Sequence, residues 1–139
     1  MSNVSMIKKF IAQIGESKTE QNITIRGNVL LSYQTPIVKI IGDTLVMSTF
    51  NYSATTNRHY SIVISTVIST NQNKYDVIRV PNINISGSAN LEALQHKKDD
   101  LMLKQAKARL NASNYDAHLL EVNKAIDFVC AFKPLFPLV

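Results

Sequence analysis

NYSATTNRHYSIVISTVIST, residues 51–70, decides the architecture. Its β-branched composition favours a strand, which would extend a sheet already begun upstream. Its spacing favours a helix, because Tyr60, Val63, Ile64, Val67 and Ile68 fall on one stripe of a 3.6-residue period. Composition alone leaves residues 57–70 open to either reading. The polar lead-in tips the balance toward helix, since Thr55 or Thr56 can accept a hydrogen bond from an amide two or three residues on and close a helix start. Arg58 and His59 then occupy the first turn, where the helix dipole disfavours a cation. Each is expected to point to solvent or to meet an aromatic ring or a carboxylate. The same geometry could hold an anion between exposed amides, Thr hydroxyls and Arg58. Capping explains the threonines more simply.

Upstream, residues 22–50 are rich in β-branched and aliphatic residues, with turn residues at Gly27-Asn28 and Gly42-Asp43. NITIR, VLLSYQT, PIVKII and TLVMSTF read as consecutive strands of a meander, the last two joined by a tight hairpin at Gly42-Asp43. Pro36 lacks an amide hydrogen and belongs at an edge, a bulge or a strand start. Before the strands, Ile7, Phe10, Ile11 and Ile14 mark a short amphipathic helix, and residues 16–21 read as a polar connector.

Downstream, KYDVIRVP reads as one more strand stopped by Pro81, followed by a loop over residues 82–88. Leu91, Leu94, Leu101 and Ala108 then trace one stripe of a helix over residues 89–111, widened by Leu103, Ala106 and Leu110. Tyr115, Leu119, Val122, Ile126 and Val129 step by four and three along a second helix. About four residues separate the two, so they form an antiparallel hairpin. If both faces of that hairpin are apolar, as Leu103, Ala106, Leu110, Leu120 and Phe128 suggest, one can face the sheet and the other a partner chain, including a second copy, although burial within the chain is the commoner outcome. The expected fold is α+β: an antiparallel sheet of hairpins, a short N-terminal helix and a C-terminal helical hairpin. It is read as one domain over 1–139, with a helix-plus-sheet part (1–81), the hairpin (89–132) and a docked tail (133–139).

A chain of 139 residues, 45% of them hydrophobic, can bury one sizeable core. Charged residues are only 18%, and the net charge is +5. Residues 1–79 hold eight Lys or Arg against four acids, and the remainder seven against six. That spread excess permits contact with a phosphate backbone but lacks the clustered cations of a dedicated nucleic-acid binder. The single cysteine, Cys130, excludes an intrachain disulfide and any multi-cysteine metal site, and its apolar neighbours suggest a small buried hydrophobe. No apolar run has the length of a signal peptide or a membrane span, so a cytoplasmic protein is expected.

Enzymatic signatures are missing from the sequence. There is no nucleophile elbow around a serine, no histidine pair at metal-ligand spacing and no glycine-rich phosphate loop. Asp99 and Asp100 point about 100° apart on a helix and more plausibly balance Lys97, Lys98 and Lys104. No catalytic residue, cofactor or metal is expected. The residues favoured for binding are Tyr33, Tyr52, Thr55, Thr56, Arg58 and His59. An alternative, nucleic-acid contact, uses Arg26, Lys39, Arg58, Lys74 and Arg79 interleaved with Tyr33, Tyr52, Tyr60 and Tyr75. Tyrosines in strands more often pack against cross-strand neighbours.

SYQTPI (32–37), NYSATTNRH (51–59) and KQAKAR (104–109), in that order, resemble a group of small phage and bacterial mobile-element proteins of unknown function. Those proteins carry a similar SYxTPIA, YSxTTxxH and KAxxAR series. The chain departs from it at Val38, where alanine is expected, and in the polar residues 69–73. The resemblance implies a phage-type accessory protein that acts without catalysis, as a stoichiometric ligand of a host or defence-system macromolecule.

Overall fold

A computed structural model describes residues 3–11, 18–20, 23–49, 54–70 and 75–138. Tyr52 and Lys74 lie outside them, as does the side chain of Thr55. The fold is α+β. Helix α1 (Asn3–Ile11) precedes five strands, β1 (Lys18–Glu20), β2 (Ile23–Arg26), β3 (Val29–Ser32), β4 (Thr35–Ile41) and β5 (Thr44–Ser48). Helix α2 (Ala54–Thr70), strand β6 (Asp76–Val80) and the long helices α3 (Gly87–Lys107) and α4 (Asn114–Phe132) follow. A 3₁₀ turn over Lys133–Leu135 leads into the tail.

Residues 54–70 are helical, and that outcome reorders the sheet. Strands β1 to β5 run as an antiparallel meander, but β6 pairs parallel to β5, in register from Thr44 opposite Asp76 to Ser48 opposite Val80. A hairpin cannot join parallel neighbours, so the 17-residue α2 serves as the crossover. The expected all-antiparallel sheet is corrected at this one strand. Residues 18–20, expected in a polar connector, pair with β2 as an edge strand.

The two-residue period of the strands divides the molecule into three layers. Ile23, Ile25, Leu30, Val38, Ile40, Leu45 and Met47 face α1 and α2, where Met6, Ile7, Phe10 and Val63 meet them. The opposite face, through Val46, Ile78 and Val80, packs on Leu94, Val122, Ala125 and Val129 of α3 and α4. Phe136 and Leu138 of the tail are buried in this second core, and the Leu138 amide donates to the Ile83 carbonyl. Leu135, by contrast, stays exposed. Gly87 makes the join possible: a Cβ there would lie 2.6 Å from Lys133 Cγ and 2.9 Å from the Lys133 carbonyl oxygen.

Pro36 occupies an interior strand, and a bulge accommodates it. The β3–β4 register shifts so that Leu30 pairs with Val38 but Leu31 with Pro36, leaving Ile37 as the extra residue. Side chains serve the carbonyls here, with Asn84 Nδ2 donating to Pro36 and the Tyr60 hydroxyl donating to Ile37. The chain reverses at Tyr33-Gln34, two residues earlier than the boundary drawn between VLLSYQT and PIVKII. Cys130, expected to be buried, is exposed: the seam of α4 turns Val129 inward and leaves its neighbour outside. Among the described residues no helix is long and apolar enough to cross a membrane, and no group of three or more His, Cys, Asp or Glu is placed to hold a metal.

Candidate functional site

Ser32 ends β3 on the face it shares with Leu30, so its hydroxyl points at α2 instead of solvent. Thr56 and His59, three residues apart in the first turns of α2, lie on one side of that helix and point back at the strand. Ser32 Oγ is 2.7 Å from His59 Nδ1 and 3.0 Å from Thr56 Oγ1. All three side chains are buried. With Thr56 donating to Ser32 and Ser32 donating to Nδ1, two hydrogen bonds link hairpin to helix. Each contributes about 1 kcal/mol net, and removing one partner costs more than that by stranding the other.

The imidazole is held neutral. Burial lowers the His59 pKa from its ordinary value, and the adjacent Arg58 guanidinium lowers it further. Arg58 itself is exposed. Because α2 starts at Ala54, both residues lie in its second turn instead of the first: Arg58 stays in water, while His59 meets a ring and is favoured in its neutral form. The ring is Tyr33, stacked near His59 with centroids 6.4 Å apart and planes 29° from parallel.

Tyr33 and Gln34 both have left-handed backbones, φ 51° and 69°, as the two central residues of a hairpin turn closed by the Ser32–Thr35 pair. Such turns favour Asn and Gly, because a side chain at positive φ is strained. Here a tyrosine and a glutamine hold both positions, and Tyr33 is 51% exposed. The turn projects a large amphipathic ring whose inner side rests near a buried imidazole and whose outer side meets solvent.

Of the residues expected to bind, the structure brings Tyr33, Thr56 and His59 together, with Arg58 exposed at the same helix start. Thr56 does not cap the helix: α2 already begins at Ala54, and the hydroxyl is spent on Ser32. Sequence reasoning passed over Ser32 and Gln34 as site residues. Their signal was a polar residue at the core-facing end of the Leu30–Ser32 alternation and a turn pair without glycine.

The alternative set is not gathered on one surface. Arg26 and Lys39 share the sheet face turned away from α1 and α2, aligned through Val29. Arg58 lies on the helix over the other face, and Arg79 pairs with Glu121 at 3.5 Å. Tyr75 is buried and Tyr60 bonds Ile37, so both pack within the fold. On the helical hairpin, Asp100 pairs with Lys104 at 2.9 Å and Asp99 accepts from Gln95.

No curated protein and no solved structure matches the chain significantly. A family model does match, over residues 4–78, and it is described as a family of unknown function, DUF8033.

Proposed function

The chain belongs to the DUF8033 family, whose matched residues contain the whole Ser32–Thr56–His59 cluster and its hairpin, and from that premise we propose a non-enzymatic recognition protein. It binds a macromolecular partner stoichiometrically through the Tyr33-Gln34 tip and the start of α2. The observation that carries this reading is the pair of strained, non-glycine turn residues seated on a buried polar cluster. Backbone strain persists where the surroundings over-determine it, and it concentrates at ligand contacts. Tyrosine also offers contact area at low entropic cost, which suits a binding anchor.

Ser32 and His59 have the reach of a nucleophile–base couple. Both are sealed from solvent, however, and the imidazole is part of the packing that supports Tyr33. This favours a positioning role over turnover. Resemblance to phage and mobile-element proteins suggests a host or defence-system protein, met in the cytoplasm, as the partner.

The test is a paired capture from nuclease-treated lysate, using wild type and the double variant Tyr33→Asn with Gln34→Gly. The variant restores preferred turn residues, so it should be more stable by about 1 kcal/mol while losing the captured protein. Equal capture by both would refute recognition at the tip.

A second reading, nucleic-acid contact, is favoured by the alignment of Arg26 with Lys39 on one sheet face. It requires an affinity for oligonucleotides that falls steeply with salt. Absence of retention in dilute buffer would exclude it.

A further inference from the structure

No residue between Leu94 and Val122 is buried, and past Leu101, which still packs on the second core, the far ends of α3 and α4 form an arm. The two helices use their facing sides on each other. Leu101, Gln105 and Ala108 are half-buried toward α4, and Gln105 Nε2 donates to the Ala112 carbonyl (3.0 Å) and to Asp116 Oδ1 (2.6 Å). The other side of α3 has no such cover. Leu103 and Ala106 are exposed there, followed by Leu110 just past the helix end, with Leu103 at 54% and Leu110 at 81%. Two helices alone close a single seam, which is marginal for an arm of this length.

We propose that this outer face of α3 docks on the same face of a second copy of the chain, antiparallel and about a two-fold axis near Lys104. The charge order along the helix selects that occupant. Asp100 and Lys107 are seven residues apart, so they lie on the same flank of the apolar stripe, on either side of Leu103. An antiparallel copy sets Asp100 of each chain beside Lys107 of the other and brings Leu103 against Ala106. In a parallel copy the two-fold runs along the helices and sets this flank on opposite sides of the seam, so Asp100 and Lys107 meet neither each other nor their own images. The surface is therefore self-complementary in one orientation only, as an isologous contact requires. The Asp100–Lys104 pair within the helix is solvent-exposed and does not compete strongly. Two arms together make a four-helix layer in which each exposed leucine stripe gains a neighbour.

Sedimentation equilibrium on the full chain tests this. Wild type is expected to be a dimer, and Leu103→Glu a monomer with unchanged circular dichroism, since residue 103 is exposed in the single chain, and with a melting temperature that no longer rises with protein concentration. Asp100→Lys and Lys107→Asp should each weaken dimerisation about tenfold or more, because each places like charges together. The double reversal should recover most of that loss. A monomeric wild type at high protein concentration overturns the proposal. So does a dimer indifferent to Leu103→Glu, or a double reversal no better than the single ones.

Discussion

Helices α2 and α4 cover opposite faces of one sheet with stripes of similar spacing and opposite chemistry. The inward stripe of α4 is Val122, Ala125 and Val129; that of α2 is Thr56, His59, Val63 and Thr66. The first is held by burial of apolar area, which is non-directional and tolerant. The second adds to the apolar packing of Val63, Ile62 and Ile64 a set of hydrogen bonds of fixed geometry, which fix where the helix sits against the β3–β4 hairpin. An apolar stripe gives a core, whereas a polar stripe gives a core and a registered tip.

That contrast can be broken most forcefully at the imidazole. His59→Ala should cost about 3 kcal/mol, combining a cavity with the loss of the imidazole acceptor of Ser32, which keeps its bond to Thr56, as read by chemical denaturation. A loss under about 1 kcal/mol would mean that the polar stripe is a passenger. On the apolar side, Val122→Ala should cost about 2 kcal/mol through lost packing alone.

Acid then separates the two faces. The folded pKa of His59 is lowered, so the unfolded chain takes up the proton first as pH falls. The contribution of neutral His59 is complete above about pH 6.5 and is lost progressively below it until the folded pKa is reached. The slope from this one proton is at most about 1.4 kcal/mol per pH unit. Denaturation at several pH values should show it in wild type and in Val122→Ala, but not in His59→Gln. The smallest effect belongs to the arm: Leu120→Ala, at an exposed position, should change stability by less than about 0.5 kcal/mol.

The same contrast explains what could be read without coordinates. The stripe of α4 is apolar and periodic, so helix, seam and hairpin followed from spacing. Helix α2 was legible as a helix, but its buried side only in part. Of the stripe drawn through Tyr60, Val63, Ile64, Val67 and Ile68, Val63 is buried, Tyr60 and Ile64 are half-buried, and the last two side chains lie outside the described residues; the buried side also includes two threonines and a histidine that any hydropathy pattern assigns to solvent. Once α2 is a helix, the parallel entry of β6 follows from chain connectivity, and the meander reading omitted that step. His59 and Tyr33 were singled out separately, yet nothing local links them. Only the register that places Ser32 on the core face brings position 33 to position 59.

The most direct test of the account is a double-mutant cycle between Ser32→Ala and Thr56→Val, followed by the same cycle between Ser32→Ala and His59→Ala, measured as unfolding free energies near pH 7.5. If the cluster pins hairpin to helix, each pair couples, by about 1–2 kcal/mol for Ser32 with His59 and somewhat less for Ser32 with Thr56. Free energies that add to within about 0.3 kcal/mol would show that the three side chains are merely buried side by side, and the case for a registered Tyr33 tip would fall with them.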